Sequence, residues 1–195
     1  MSEVLINIST TGNQERPTVA DRFGTHYLIC WSDDNGGTIK GRSFKADGTP
    51  FQTEVVVNGT APNPVRRIRP TAVNTASGPV VAWIEEPTTP GQRYGKVQRF
   101  DQARNRIGNE IKVSSLDVDP SHDPALTHID AGFLVAWIDP RIDHRIRARR
   151  YGPDGTPIGS EFPVNASDGL HENPVAPPWA AGGSPSASSS PTARR

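Results

Sequence analysis

A single cysteine, Cys30, is present in 195 residues, and that scarcity excludes several chemistries at once. No disulfide can form within the chain, and the cysteine clusters of a structural zinc site are absent. Cys30 lies in the apolar run from Tyr27 to Trp31, where a free thiol acts as a small buried hydrophobe rather than a nucleophile. Long hydrophobic runs are lacking too. None approaches the 18 residues of a membrane span, and the opening MSEVLIN has no basic stretch followed by an apolar core. Neither membrane insertion nor a signal peptide is therefore expected. No sign of charge is in excess, with 21 Lys and Arg against 21 Asp and Glu, so no global field draws the chain to nucleic acid. The five histidines, at 26, 122, 128, 144 and 171, show no HxH or HxxxH spacing and support neither zinc nor general-base chemistry.

What the chain does have is turns and repetition. Eighteen glycines and 19 prolines with only 34% hydrophobic residues favour many short strands over helices. Glutamates at 3, 54, 110 and 161 open the short segments EVLIN, EVVVN, EIKVS and EFPVN, at intervals of 51, 56 and 51 residues. After each comes a polar loop, then Pro17, Pro70, Pro124 or Pro174 leading a short strand, since proline suits the first position of a strand. Apolar runs ending in Trp31, Trp83 and Trp137 follow. They do not alternate, so both faces must be covered. Half-exposed basic strands come next, at 39–44, 95–100 and 146–151. Asp47-Gly48 and Asp154-Gly155 are expected to form tight primed hairpin turns, and Gln102–Arg106 a looser or differently shaped one.

Repeats of about 50 residues built from short strands mark an array of sheets such as a propeller. The expected fold is all-β, a propeller-like array of four-stranded antiparallel blades. It spans residues 1–178 in units of about 3–53, 54–109 and 110–160, with a fourth beginning at 161–178. Three blades are fewer than usually close a ring, so the array is open or completed by a second copy. The Ser/Pro/Ala-rich end, 179–195, is expected to be disordered.

The segments GRSFKADGTPFQTEVVVN from Gly41 and ARRYGPDGTPIGSEFPVN from Ala148 resemble a repeat of large bacterial surface and secreted proteins, adhesin-like and RTX-type. The resemblance covers roughly residues 3–176. It implies propeller blades, an extracellular or cell-surface setting, and a binding or adhesion role with a glycan or surface protein as partner. The glycine- and aspartate-rich nonapeptides that bind calcium in RTX proteins are absent, so calcium does not follow from it.

Several groups are candidates for chemistry. Asp33, Glu85 and Asp139 recur two residues after each tryptophan, facing Lys40, Lys96 and Arg147. They read either as cross-strand charge pairs or as a ring of carboxylates around a ligand. SDDNGGT at 32–38, with Asp34, fits the Asp box of sialidase-like propellers, a turn motif without catalytic function. Arg66, Arg67 and Arg69 cluster as a possible anion site. Asp117, Asp119 and Asp123 place oxygen ligands at alternate positions, as calcium loops do, though without the glycine turn and distal glutamate of an EF-hand. Asn7, Asn58 and Asn165 head N-x-S/T sequons whose repeated position suits a turn role. The tryptophans fit packing between blades better than sugar stacking. The expected function is a non-catalytic binding or adhesion module. The alternatives are a propeller lectin and, behind it, a sialidase- or arabinanase-like hydrolase needing paired carboxylates.

Overall fold

The computed structural model describes residues 3–23, 26–35, 37–60, 65–88, 91–115, 117–130, 132–141 and 145–165. The start of a fourth repeat after residue 165, with Pro174, Trp179 and the 179–195 tail, lies outside them, as do His144 and His171. Among the described residues all regular structure is β, in three sheets of four antiparallel strands. The first holds β1 (Gln14–Phe23), β2 (His26–Asp33), β3 (Thr38–Lys45) and β4 (Val55–Val56). The second holds β5 (Val65–Thr75), β6 (Gly78–Pro87), β7 (Tyr94–Phe100) and β8 (Arg106–Lys112). The third holds β9 (Ala125–Ile129), β10 (Gly132–Asp139), β11 (Arg145–Tyr151) and β12 (Pro157–Pro163). Each strand pairs with its neighbour in chain order. The leading strand β5 packs against both β1 and β9.

The sheets are phased one strand later than the glutamate-led units 3–53, 54–109 and 110–160. Each glutamate-led segment is the last strand of its sheet, not the first. Gly41 pairs with Val55, Val97 with Ile111 and Ala148 with Phe162. The cause is local: a three-residue hairpin loop joins the basic strand to the glutamate-led one, whereas a longer loop separates that strand from the next proline.

Those hairpins also differ from the expected primed turns. Gly48 N–H bonds Lys45 C=O and Gly155 N–H bonds Gly152 C=O, with Gly48 and Gly155 at φ 85° and 84° while their aspartates stay at negative φ. This is the three-residue loop with a left-handed last position. Asp47 and Asp154 instead accept bonds from the Thr49 and Thr156 backbone and hydroxyl. The middle turn is not looser. Arg104 N–H bonds Asp101 C=O at 3.0 Å and Arg104 takes φ 72°, copying the glycine.

Pro17 and Pro70 sit inside their strands. The register slips between Glu15 and Thr18 and between Ile68 and Thr71, so each proline occupies a bulge, where its missing N–H interrupts no ladder bond. The residues before them, Arg16 and Arg69, take φ 57° and 58°.

The tryptophan strands are covered on both faces, as their continuous apolar runs require, and Trp31, Trp83 and Trp137 are buried. Leu28, Cys30, Ile39 and Val57 of the first sheet pack against Val81, Trp83 and Phe100 of the second. Val80, Ala82, Ile84 and Val113 of the second meet Phe133, Val135, Trp137 and Tyr151 of the third. Each such aliphatic or phenyl side chain, fully buried, contributes about 1.5–3 kcal/mol.

Two polar devices recur. At the end of each last strand a side chain extends the ladder: Asn58 Oδ1 accepts Ile39 N–H at 2.7 Å, Ser114 Oγ accepts Gly95 N–H at 3.0 Å and Asn165 Oδ1 accepts Ile146 N–H at 2.9 Å. Between sheets, a glutamate holds the backbone just past the preceding last strand. Glu110 Oε1 accepts Gly59 N–H at 2.6 Å, and Glu161 Oε1 accepts Ser115 N–H at 2.6 Å. Glu54 Oε2 accepts Ile8 and Ser9 N–H at 2.8 and 3.3 Å.

Candidate functional site

Asp33, Glu85 and Asp139 lie one in each sheet, and among the described residues no three carboxylate, histidine or cysteine groups gather as a metal set. Each instead pairs with cations near it, Asp33 and Glu85 across the strand register and Asp139 within its own turn. Asp33 Oδ2 and Glu54 Oε1 grip Lys40 Nζ at 2.6 and 2.8 Å. Glu85 and Glu110 flank Lys96 at 3.7 and 3.6 Å. In the third sheet Arg147 pairs with Glu161 at 3.5 Å, and Asp139 turns to Arg141, at 2.9 Å to its Nη2. Burial alone would lower the Lys40 ammonium, but the Asp33 and Glu54 carboxylates that hydrogen-bond it raise it above the usual lysine value. Asp33 and Asp139 also accept the backbone N–H two residues on, from Asn35 and Arg141. In the first and third sheets the carboxylate thereby closes the turn after the tryptophan strand.

The acidic loop divides in the same way. Asp117 accepts Arg93 N–H at 2.7 Å, Asp119 accepts Ser121 N–H at 2.7 Å beside His122, and Asp123 faces the arginines. Arg69 Nη1 lies 2.9 Å from Asp123 Oδ1, Arg16 Nη1 3.7 Å from the same atom, and Arg69 Nε donates to Pro120 C=O. Arg16, Arg69 and Asp123 each immediately precede the recurring proline of their repeat, Pro17, Pro70 or Pro124, so the three bulge or strand entries converge on one carboxylate.

Arg66, Arg67 and Asp34 are brought together elsewhere. They line an open cleft of about 1320 Å³ between the first and second sheets, with Thr38, Asn58, Lys96, Gln98, Arg106 and Glu110 also on its walls. The start of β5 pairs antiparallel with the end of β6, placing Arg66 opposite Glu86 and Arg67 opposite Glu85. The resulting ion pairs measure 3.3 and 3.5 Å. Arg67 Nη1 crosses to Gly37 C=O of the first sheet at 3.1 Å, and Arg106 Nη2 donates to Val56 and Asn58 C=O. Four cations stand on the walls against Asp34 and Glu110. Among the described residues the buried Thr38 Oγ1 there has no hydrogen-bond partner, while Arg67 Nε is held by Glu85 Oε2.

Arg106 and Gln98 were not singled out by their sequence context. Arg106 occupies the place of Pro50 and Pro157 in the aligned turns, and that departure was the available signal. Cys30 is buried; burial pushes its thiol up to about 12, against a small lowering by Arg104, so it holds no thiolate near neutral pH. Trp31, Trp83 and Trp137 are buried and offer no ring face to a ligand.

No family model matches the chain, and no curated protein matches it.

Proposed function

We propose that the chain is three blades of a β-propeller acting as a non-catalytic binding or adhesion module, with its ligand in the cleft between the first two blades. Four-stranded meanders whose leading strands lie together are how propeller blades are arranged. The observation that carries the binding reading is the cleft itself: a concave surface with the cationic side chains of Arg66, Arg67, Lys96 and Arg106 on its walls. A polar ligand with carboxylate and hydroxyl groups would complement these charge-bearing donors. An acidic glycan has that chemistry, which gives the lectin reading a different footing from exposed tryptophans. The resemblance to surface-protein repeats supports an extracellular or cell-surface setting.

The test is an array of acidic and neutral glycans probed with the parent and with Arg66→Glu. Arg66 is exposed at the cleft rim, so the variant should melt with the parent. Acidic glycans bound by the parent and lost at least tenfold in the variant are expected. Binding that is indifferent to Arg66→Glu removes the cleft from the reading. A blank array for the parent rejects glycans and leaves a surface protein as partner.

A further inference from the structure

Arg106 is the residue of its repeat that the hairpin does not need. The equivalent positions are Pro50 in the first sheet and Pro157 in the third. All three stand opposite an aromatic residue of the preceding strand: Phe44 with Pro50, Phe100 with Arg106 and Tyr151 with Pro157. The chain thus builds this hairpin twice with a proline there, a residue suited to the first position of a strand, and nothing in the ladder asks for a long basic side chain. The arginine leaves its own sheet and donates through Nη2 to the Val56 and Asn58 C=O groups of the first, on the wall of the cleft.

Charge pairing sets Arg106 apart from the other cations of that cleft. Arg66 pairs with Glu86 at 3.3 Å and Arg67 with Glu85 at 3.5 Å. Lys96 lies between Glu85 and Glu110 at 3.7 and 3.6 Å. Among the described residues Arg106 is in no ion pair, and its partners are the two carbonyl oxygens. Glu110 also stands beside Gly59, but its Oε1 accepts the Gly59 N–H at 2.6 Å and its Oε2 faces Lys96. A carbonyl satisfies a donor and leaves the unit charge of a guanidinium uncancelled. Inside a concave, protein-walled surface that charge is screened less than on an open one.

Donors and space are both available at this place. Arg106 Nε and Nη1 bond nothing among the described residues, so hydrogens remain for an incoming oxyanion. The wall around the guanidinium is glycine: Gly59 and Gly108 both line the cleft. A Cβ added at Gly59 would lie 3.7 Å from Arg106 Nη1, and one added at Gly108 would meet nothing within 4 Å.

We infer that Arg106 seats the acidic group of the ligand, with a carboxylate or sulfate oxyanion against its guanidinium beside Gly59 and Gly108. The inference rests on the reading of the cleft as a site for an acidic glycan, and adds to it the residue that selects acidic over neutral sugars. Arg66 and Arg67, already offset by Glu86 and Glu85, act on the ligand through the field of the cleft.

Arg106→Pro is the test variant, because two repeats of this chain already fold with proline at that place. Urea unfolding checks that it folds, and Arg106→Gln replaces it if it does not. Parent and variants are compared on an array of acidic and neutral glycans. The full chain is also titrated with sodium glucuronate and with inorganic sulfate while the Gly59 and Gly108 amides and the arginine side-chain N–H groups are followed by nuclear magnetic resonance. Arg106→Pro should bind acidic glycans at least tenfold more weakly and lose the Gly59 and Gly108 shifts. Arg106→Lys should retain part of the affinity, and Arg66→Gln should change it less than threefold. Whichever anion gives the larger shifts in the parent names the acidic group. Acidic glycans held equally by the parent and Arg106→Pro, yet lost in Arg66→Glu, overturn the inference and leave the cleft reading standing. A blank array rejects the glycan reading, and the titration then decides Arg106 by itself. Shifts at Gly59 and Gly108 that vanish in Arg106→Pro sustain the anion seat, whereas shifts centred on Arg66, or none with either anion, overturn it.

Discussion

Glu110 reaches out of the second sheet and accepts a 2.6 Å hydrogen bond from Gly59 N–H, the residue just past the last strand of the first sheet. The same carboxylate faces Lys96 at 3.6 Å, so one side chain ties a strand within its sheet and a neighbouring sheet at once. Apolar contact between sheets is non-directional; the glutamate supplies the register that contact alone leaves free.

Glu110→Ala leaves the Gly59 N–H without its acceptor and Lys96 without one of its two carboxylates. The expected cost is about 1–3 kcal/mol, read by urea unfolding. Glu110→Gln keeps an acceptor for Gly59 and should lose less. An alanine variant as stable as the parent would show that the bond adds nothing to the junction.

Asn58 is 4% exposed and its Oδ1 serves as a surrogate backbone carbonyl for Ile39 N–H. Asn58→Ala should cost about 1–3 kcal/mol, the penalty of an unsatisfied buried donor. Asn58→Ser should be milder, because Ser114 performs the same service for Gly95 at 3.0 Å. Thermal melts of the two variants decide the point. The same burial predicts that Asn58 carries no glycan in the folded protein, so mass spectrometry after expression in a glycosylating host should find that sequon bare.

At the middle hairpin Arg104 takes the left-handed conformation that Gly48 and Gly155 take in the other two. Arg104→Gly should stabilise by about 1 kcal/mol through relief of that strain, reduced by loss of its 3.4 Å contact to Asn74. Gly48→Ala is the reverse experiment. A Cβ there meets nothing within 4 Å, so its cost, again about 1 kcal/mol, is backbone strain alone. If both changes are neutral by denaturant unfolding, the turn is relaxed and the φ values carry no energetic weight.

The repeat was legible because burial on both faces forces continuous apolar runs, and the runs to Trp31, Trp83 and Trp137 cannot be mistaken for alternating strands. The sheet boundaries were not legible from the glutamates, although the Asp47-Gly48 hairpin already joined the basic strand to the glutamate-led one. A marker that recurs once per repeat fixes the period but not the phase. The middle turn was misjudged for a related reason: Gln102–Arg106 lacks glycine, yet the flanking pairings, Val97 with Ile111 and Phe100 with Arg106, impose the same loop on a residue that resists it. For the candidate site, charge spacing found the Asp33–Lys40 and Glu85–Lys96 pairs but not that Asp139 would turn to Arg141 and leave Arg147 to Glu161. The union of Arg66, Arg67 and Asp34 in a cleft, and of Arg69 with Asp123, depends on how separate sheets face each other, which no local pattern encodes.

Glu54 makes the attachment of residues 3–9 sensitive to acid. Burial works to raise its carboxyl, but Lys40 and the Ile8 and Ser9 N–H groups outweigh it and hold the group below the ordinary glutamate value of 4.5. A carboxyl depressed in the folded state contributes stability that is present above its unfolded value and lost as pH falls through its folded value. The Ile8 and Ser9 contacts should therefore hold at pH 5 and above, on the order of the unfolded value, and weaken as acid is added below 4.5. Lys40 sets the opposite limit: raised in the folded state, its contribution is present below 10.5 and fades as pH climbs through the higher folded value. Amide chemical shifts of Ile8 and Ser9, followed by nuclear magnetic resonance through an acid titration, should move together with a midpoint below 4.5 and lose that step in Glu54→Gln. A midpoint at or above the ordinary value would mean that Lys40 and the two N–H groups do not hold the carboxylate, and that residues 3–9 are anchored instead by Arg42 Nη1, which donates to Leu5 and Ile6 C=O.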